Sequence, residues 1–176
     1  HGIGTILDAA DRLVHIPGIR FHIIGDGQES WRISQYLESS RAANLIWERG
    51  MFSTEHIVHA IAKADLCLGI FAESPKAQRV LPYKIYYYAA LGKPFVTRST
   101  VCLRRYFPQT DNVLLCKMED DSGASLAGMI DHYYHNPEEL NKAARESAEL
   151  YQQYLSPQQL QVQLTGLFSR QQVKSV

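Results

Sequence analysis

The chain has 176 residues, enough for one domain with a buried core. With 45% hydrophobic and 20% charged residues it has the make-up of a globular protein, which excludes a disordered tail or a collagen-like fibre. Eighteen basic residues balance eighteen acidic ones, so a dedicated nucleic-acid binder, which needs a basic excess, is disfavoured.

Residues 3–14 place Ile3, Ile6, Leu7, Ala10, Leu13 and Val14 at helical spacing. Residues 20–25 predict a strand ending in the turn Gly25-Asp26-Gly27, and a helix follows over 28–41. Asn44–Trp47 is a short strand, and Ser53 is placed to cap a helix through Lys63. Asp65–Phe71 is a buried strand, apolar throughout after its aspartate. Residues 72–81 form a polar loop, and Pro82 opens a helix that stops at Gly92. Phe95–Thr97 and Asn112–Cys116 are two more strands, with a short helix or turn around Leu103–Phe107 between them. Helices over 122–135, from Asn136-Pro137 onward and from Ser156-Pro157 to about Phe168 complete the chain.

Strands alternating with helices at this spacing specify an α/β domain, a Rossmann-like parallel sheet with helices on both faces. No linker or repeat divides residues 1–176, so one domain is expected, with helices about 137–168 packing on it or toward a neighbouring domain. The chain opens on a helix where such a fold opens on a strand, so a first strand and a preceding domain are expected upstream. No apolar run approaches the roughly 20 residues that cross a bilayer. Asp8, Asp11 and Arg12 break up any signal-peptide core at the start. Three cysteines, Cys67, Cys102 and Cys116, without paired spacing, read as free thiols of a reducing compartment, hence a cytoplasmic location. Parallel sheets bind ligands at the carboxyl ends of strands, which draws attention to the loops beginning at Gly25, Glu48, Phe71 and Arg98.

The most informative segment is 65–97, DLCLGIFAESPKAQRVLPYKIYYYAALGKPFVT: a buried strand, a polar loop, a short helix rich in alanine, then Gly-Lys-Pro and a second buried strand. With the turn Gly25-Asp26-Gly27 and the opening HGIGTILDAADRL, it resembles the donor-binding region of retaining, family-4-type glycosyltransferases of the GT-B fold. The resemblance covers about residues 1–116 well and the terminal helices loosely. It implies the C-terminal half of a two-domain enzyme, with a nucleotide-sugar as donor and a glycan or lipid-linked acceptor on the N-terminal domain. It implies no metal or other cofactor and peripheral membrane contact of the whole protein at most. The isolated domain would be inactive, and the apolar side of its last helix (Leu160, Leu164, Leu167, Phe168) would need another surface, such as a neighbouring copy. The rivals are a non-catalytic nucleotide-sugar-binding module and a GT-B epimerase.

The helix after Pro82 starts near the end of strand 65–71, so its free N–H groups can face a diphosphate there, flanked by Arg79 and Lys84. Val80 and Leu81 belong to the same donor-binding loop. The family carries two carboxylates at the positions held here by Arg79 and Tyr87. The second binds the ribose hydroxyls in a fork, where Tyr87 offers one hydroxyl. The turn Gly25, Asp26 and Gly27 permits close backbone approach, with Asp26 alternatively capping helix 28–41. The resemblance implies a nucleobase contact by the backbone of Arg49, Gly50 and Met51, and it puts His1 where the family has a phosphate-binding lysine. The pairs His56/His59 and His132/His135 lack a carboxylate–histidine motif and are discounted as metal ligands. Glu119-Asp120-Asp121 reads as a complement to the following helix dipole.

Overall fold

The computed structural model describes residues 2–39, 43–72, 74–106, 115–116, 122–162 and 165. Helix α1 (Ile3–Arg12) buries Ile6, Leu7, Ala9 and Ala10; of the predicted stripe Ile6, Leu7, Ala10 and Leu13 are buried, Ile3 is half-buried and Val14 is exposed. Strand β1 (Phe21–Ile24) and strand β2 (Leu45–Glu48) pair in parallel, Phe21 opposite Leu45 and Ile24 opposite Glu48. Between them lies α2 (Ser30–Glu38), shorter than the predicted 28–41 because the residues before Ser30 are used in the turn after β1. Helix α3 (Thr54–Lys63) is capped as expected, the Ser53 side chain accepting the His56 N–H.

The second parallel group is β3 (Cys67–Leu68), β4 (Phe95–Arg98) and β5 (Leu115–Cys116), in the order β3-β4-β5. Backbone pairing of β3 with β4 continues past Leu68, since the Gly69 N–H reaches the Val96 carbonyl at 2.7 Å and the Arg98 N–H the Ile70 carbonyl at 3.0 Å. The predicted loop 72–81 is corrected: it contains a short helix, α4 (Pro75–Arg79), whose Ala77 N–H is accepted by the Ser74 hydroxyl. Ser-Pro is a helix start, with a hydroxyl cap followed by a residue that has no N–H to lose. Helix α5 (Tyr83–Ala90) follows with Pro82 at its cap, and α6 (Val101–Tyr106) follows β4.

Helices α7 (Ser122–His135) and α8 (Pro137–Leu150) match the expected starts, although Asn136 caps nothing with its side chain and donates to the His132 carbonyl instead. A π-helical turn over Tyr151–Leu155, not anticipated, buries Leu155 against α5 before the chain turns helical again at 157–162. Apart from Thr165, the rest of the predicted last helix lies outside the described residues, as do Glu119-Asp120-Asp121 and His1.

Helices cover both faces. One apolar cluster joins α1, α2 and α7 to β1 and reaches Phe71 and Val96. The other joins Cys67, Ile85, Tyr88, Ala89, Phe95 and Leu103 to Leu155. Cys67 is a buried free thiol and Cys102 a half-buried one. No described helix is long and apolar enough to cross a membrane.

Candidate functional site

A cavity of about 1000 Å³ lies between β1 and β3. Its floor is apolar: Ile3 and Ile6 of α1, Ile23, Ile57 and Ile61 of α3, Leu66 and Leu68. Its mouth, at the carboxyl ends of the strands, is polar and formed by Gly25-Asp26-Gly27 on one side and Tyr83, Lys84 and Tyr87 on the other. An apolar pocket with a few convergent polar groups at the carboxyl edge of a parallel sheet is where a small ligand binds in this class of fold.

The turn after β1 is held tightly. Gly25 has φ 116, a conformation costly for a residue with a Cβ, and its N–H donates to the Glu48 carbonyl at 2.9 Å. Asp26 accepts the Gly27 N–H at 2.8 Å and Arg49 Nε at 2.9 Å, while the Gly27 N–H also reaches Ser30 Oγ at 2.8 Å. Hydrogen bonds from Ser30, Arg49 and Gly27 hold the Asp26 carboxyl down to about 2. Asp26 thus ties the β1 turn to the end of β2. It does not cap α2, whose N-cap position is held by Glu29, and the Glu29 carboxylate lies 3.4 Å from Arg32 Nε.

Lys84 sits in the first turn of α5 and turns its amine inward. Nζ donates to the carbonyls of Leu68 (3.1 Å) and Gly69 (2.7 Å). Burial pushes this ammonium down to about 8, because the charged form loses water that two carbonyl dipoles replace only in part. Tyr88 donates its hydroxyl to the same Leu68 carbonyl and packs in the core with its ring tilted against Phe95, its phenol pushed up by burial. Tyr87 is half-buried at the mouth and meets Tyr83 edge-on, ring centroids 5.3 Å apart. A hydrogen bond with Tyr83 raises the Tyr87 phenol above its ordinary value. Tyr86 is among the residues packed on the second cluster. Tyr86 and Tyr88 thus both pack on the second cluster, and Tyr87 is the one of the three turned to the mouth beside Tyr83.

Of the residues singled out in the sequence, the fold brings Gly25, Asp26, Gly27, Lys84 and Tyr87 to one mouth. Arg49 reaches it through Asp26 and stacks its guanidinium 5.3 Å from the Trp47 ring centroid. Gly50 and Met51 do not line the cavity, and Met51 is wholly exposed. Arg79 donates back to the Pro75 carbonyl in α4, Val80 is exposed and Leu81 packs on the second cluster. Tyr83 is the mouth residue that sequence reasoning passed over, although its place directly after the capping Pro82 marks the first position of a helix aimed at the site. His56 pairs with Glu48 at 2.9 Å and stacks on Phe52, and His132 pairs with Glu139 at 2.9 Å. Among the described residues no group of three or more His, Cys, Asp or Glu side chains is placed to hold a metal ion.

A glycosyl transferase-like family matches residues 4–164, nearly the whole chain. The chain belongs to this family. Sixteen chains of solved structures are also similar. One, described as the crystal structure of GtfA/B complex, superposes with a TM-score of 0.74 at 15% sequence identity. That match covers 96% of this chain and 33% of the other, so the chain spans about a third of the length of the protein it resembles. No curated protein matches it in sequence. The likeness at this identity is one of fold, and it agrees with the α/β architecture of a GT-B half. For a glycosyl transferase-like chain, the mouth between the β1 turn and α5 is the candidate donor site.

Proposed function

We propose that this chain is the donor-binding half of a glycosyltransferase, taking a nucleoside-diphosphate sugar at the mouth between Gly25-Asp26-Gly27 and α5 for transfer to a glycan or lipid-linked acceptor. The observation that carries the reading is Lys84: a desolvated amine at the polar mouth of an otherwise apolar cavity, at the carboxyl end of the strands, in a glycosyl transferase-like chain. A diphosphate there would meet Lys84 and the free N–H groups at the start of α5. These groups oppose the charge that develops on the leaving diphosphate, which supports metal-independent departure. Tyr83 and Tyr87 supply a rim on which a sugar or ribose ring can rest, and the Tyr87 hydroxyl can exchange its Tyr83 partner for a ligand hydroxyl. Retention at the anomeric carbon is proposed by resemblance, and the acceptor is assigned to a separate domain.

A second reading is favoured by Tyr87 itself. Where the resembling family places a carboxylate that grips two ribose hydroxyls, a phenol grips one, and a non-catalytic nucleotide-sugar-binding module needs no more. Calorimetric titration with UDP, GDP, ADP, their sugars and the bare nucleosides tests the donor-site assignment. Tighter binding of at least one diphosphate than of its nucleoside is expected. Equal binding of diphosphate and nucleoside throughout would remove the assignment.

A further inference from the structure

We infer that Lys84 is a site of covalent modification, its amine adding to an aldehyde carried on a flat aromatic ring seated in the cavity to form an imine. Lys84 lines the cavity, and the two groups that hold its Nζ, the Leu68 and Gly69 carbonyls, are uncharged. No carboxylate among the described residues pairs with it. Asp26, across the mouth, is engaged by Arg49 and the Gly27 N–H. The titratable group that acts on Lys84 is the Cys67 thiol, which burial pushes up to about 12 and so keeps uncharged. The amine therefore has no counter-ion. A neutral amine has two N–H bonds and one lone pair. The two carbonyls take the two N–H bonds and leave the lone pair for an electrophile, whereas an ammonium would hold a third N–H with no partner among the described residues. These surroundings favour the neutral form, and the amine sits at about 8 against its ordinary 10.5. A lysine desolvated in this way is a nucleophile toward carbonyl compounds.

The Nζ lone pair attacks the aldehyde carbon and a C–N bond forms. One amine proton moves to the aldehyde oxygen, giving a carbinolamine. That oxygen then leaves as water with the second amine proton, and a C=N bond remains. No oxidant or reductant is consumed. A proton from solvent turns the imine into an iminium, which has one N–H where the amine had two. The site can bear that loss. The Leu68 carbonyl keeps a donor, because the Tyr88 hydroxyl reaches it at 3.1 Å, and the iminium N–H stays on the Gly69 carbonyl. Ile61, Leu66 and Leu68 on the floor and the rings of Tyr83 and Tyr87 at the mouth give a flat aromatic body apolar contact. Two other lysines show what sets Lys84 apart. Lys63 lines the same cavity from α3 but is exposed, and Lys93 gives its amine to a single carbonyl, that of Ala64. This reactivity does not require that a nucleotide-sugar bind at the mouth.

The test treats the protein, near neutral pH and without nucleotide, with salicylaldehyde, an aromatic aldehyde that carries no phosphate. Sodium cyanoborohydride fixes each imine as a secondary amine, and peptide mass spectrometry follows the labelling of every lysine. Lys84 should be labelled at least about tenfold faster than Lys63, Lys76, Lys93 and Lys142, because an amine titrating near 8 has a free-amine fraction more than about a hundredfold larger near neutrality than one at 10.5, of which its lower basicity gives back a part. Labelling of Lys84 no faster than that of the other four would overturn the inference. In urea the preference should vanish, since unfolding removes the carbonyls and the cavity together. A preference that survives unfolding would belong to the local sequence and would also count against the site. Absence of diphosphate binding in calorimetry would remove the donor-site assignment and leave the labelling as stated here, so the two readings fail separately.

Discussion

Tyr87 carries the sharpest residue-scale expectation. Its hydroxyl is partnered by Tyr83 at a half-exposed rim, so a carboxylate there stays hydrated and the fold should tolerate Tyr87→Glu. Binding of ribonucleotides should tighten by roughly 1–3 kcal/mol, the worth of a charged hydrogen bond, while 2′,3′-dideoxy analogues gain nothing; paired titrations check this. Ser147 is a contrasting case. Its hydroxyl is buried in α8 and has no hydrogen-bond partner among the described residues. Ser147→Ala should therefore raise stability by about 1 kcal/mol in thermal or urea unfolding, since it removes an unpaid desolvation. At Lys84 the sign runs with pH. Its folded value of about 8 lies below the ordinary 10.5, so the unfolded chain binds more protons between the two. The Lys84 contribution to stability should rise across that window and be at its lowest below about 8, and the difference between wild type and Lys84→Met isolates it.

Among the elements, the Gly25-Asp26-Gly27 turn and the α5 start were legible because glycine, aspartate and proline impose local geometry whatever the surroundings. The role of Asp26 was not. Its partner Arg49 is 23 residues away, and only the parallel register of β1 with β2 brings them together. Helix α4 was hidden for a different reason: Pro75 read as a loop signal, yet after Ser74 it is a first helical position. Lys84 was found by position, but its inward turn toward two strand carbonyls has no sequence signature. The Asp26 carboxyl sits depressed to about 2, so the tie between the β1 turn and β2 should be fully present above its ordinary 3.8 and be lost as pH falls through about 2. Chemical-shift titration of the Gly27 amide reads this directly, and Asp26→Asn should flatten the curve. On the other face, Ile85 is fully buried between β4 and the turn that carries Leu155. Ile85→Ala should cost about 2–5 kcal/mol in unfolding free energy.

At the scale of the whole molecule, the alternating pattern made the α/β class, the parallel pairing and the two-sided helical cover legible, and the glycosyl transferase-like family match agrees with them. The division of the strands into two groups with a cavity between them was not legible in the sequence. The cavity's mouth then collects residues 25–27 and 83–87, far apart in sequence, which only the sheet order can do. The central claim is that this mouth takes the diphosphate of a nucleotide-sugar beside Lys84. The most direct measurement is proton uptake on nucleoside diphosphate binding, by calorimetry at about pH 9 in buffers of different ionisation heat, where an amine titrating near 8 is mostly neutral. A diphosphate beside Lys84 favours its ammonium form, so binding should draw most of one proton from the buffer, and Lys84→Met should draw none. Binding whose heat is the same in every buffer, or the same uptake in Lys84→Met, would contradict the account.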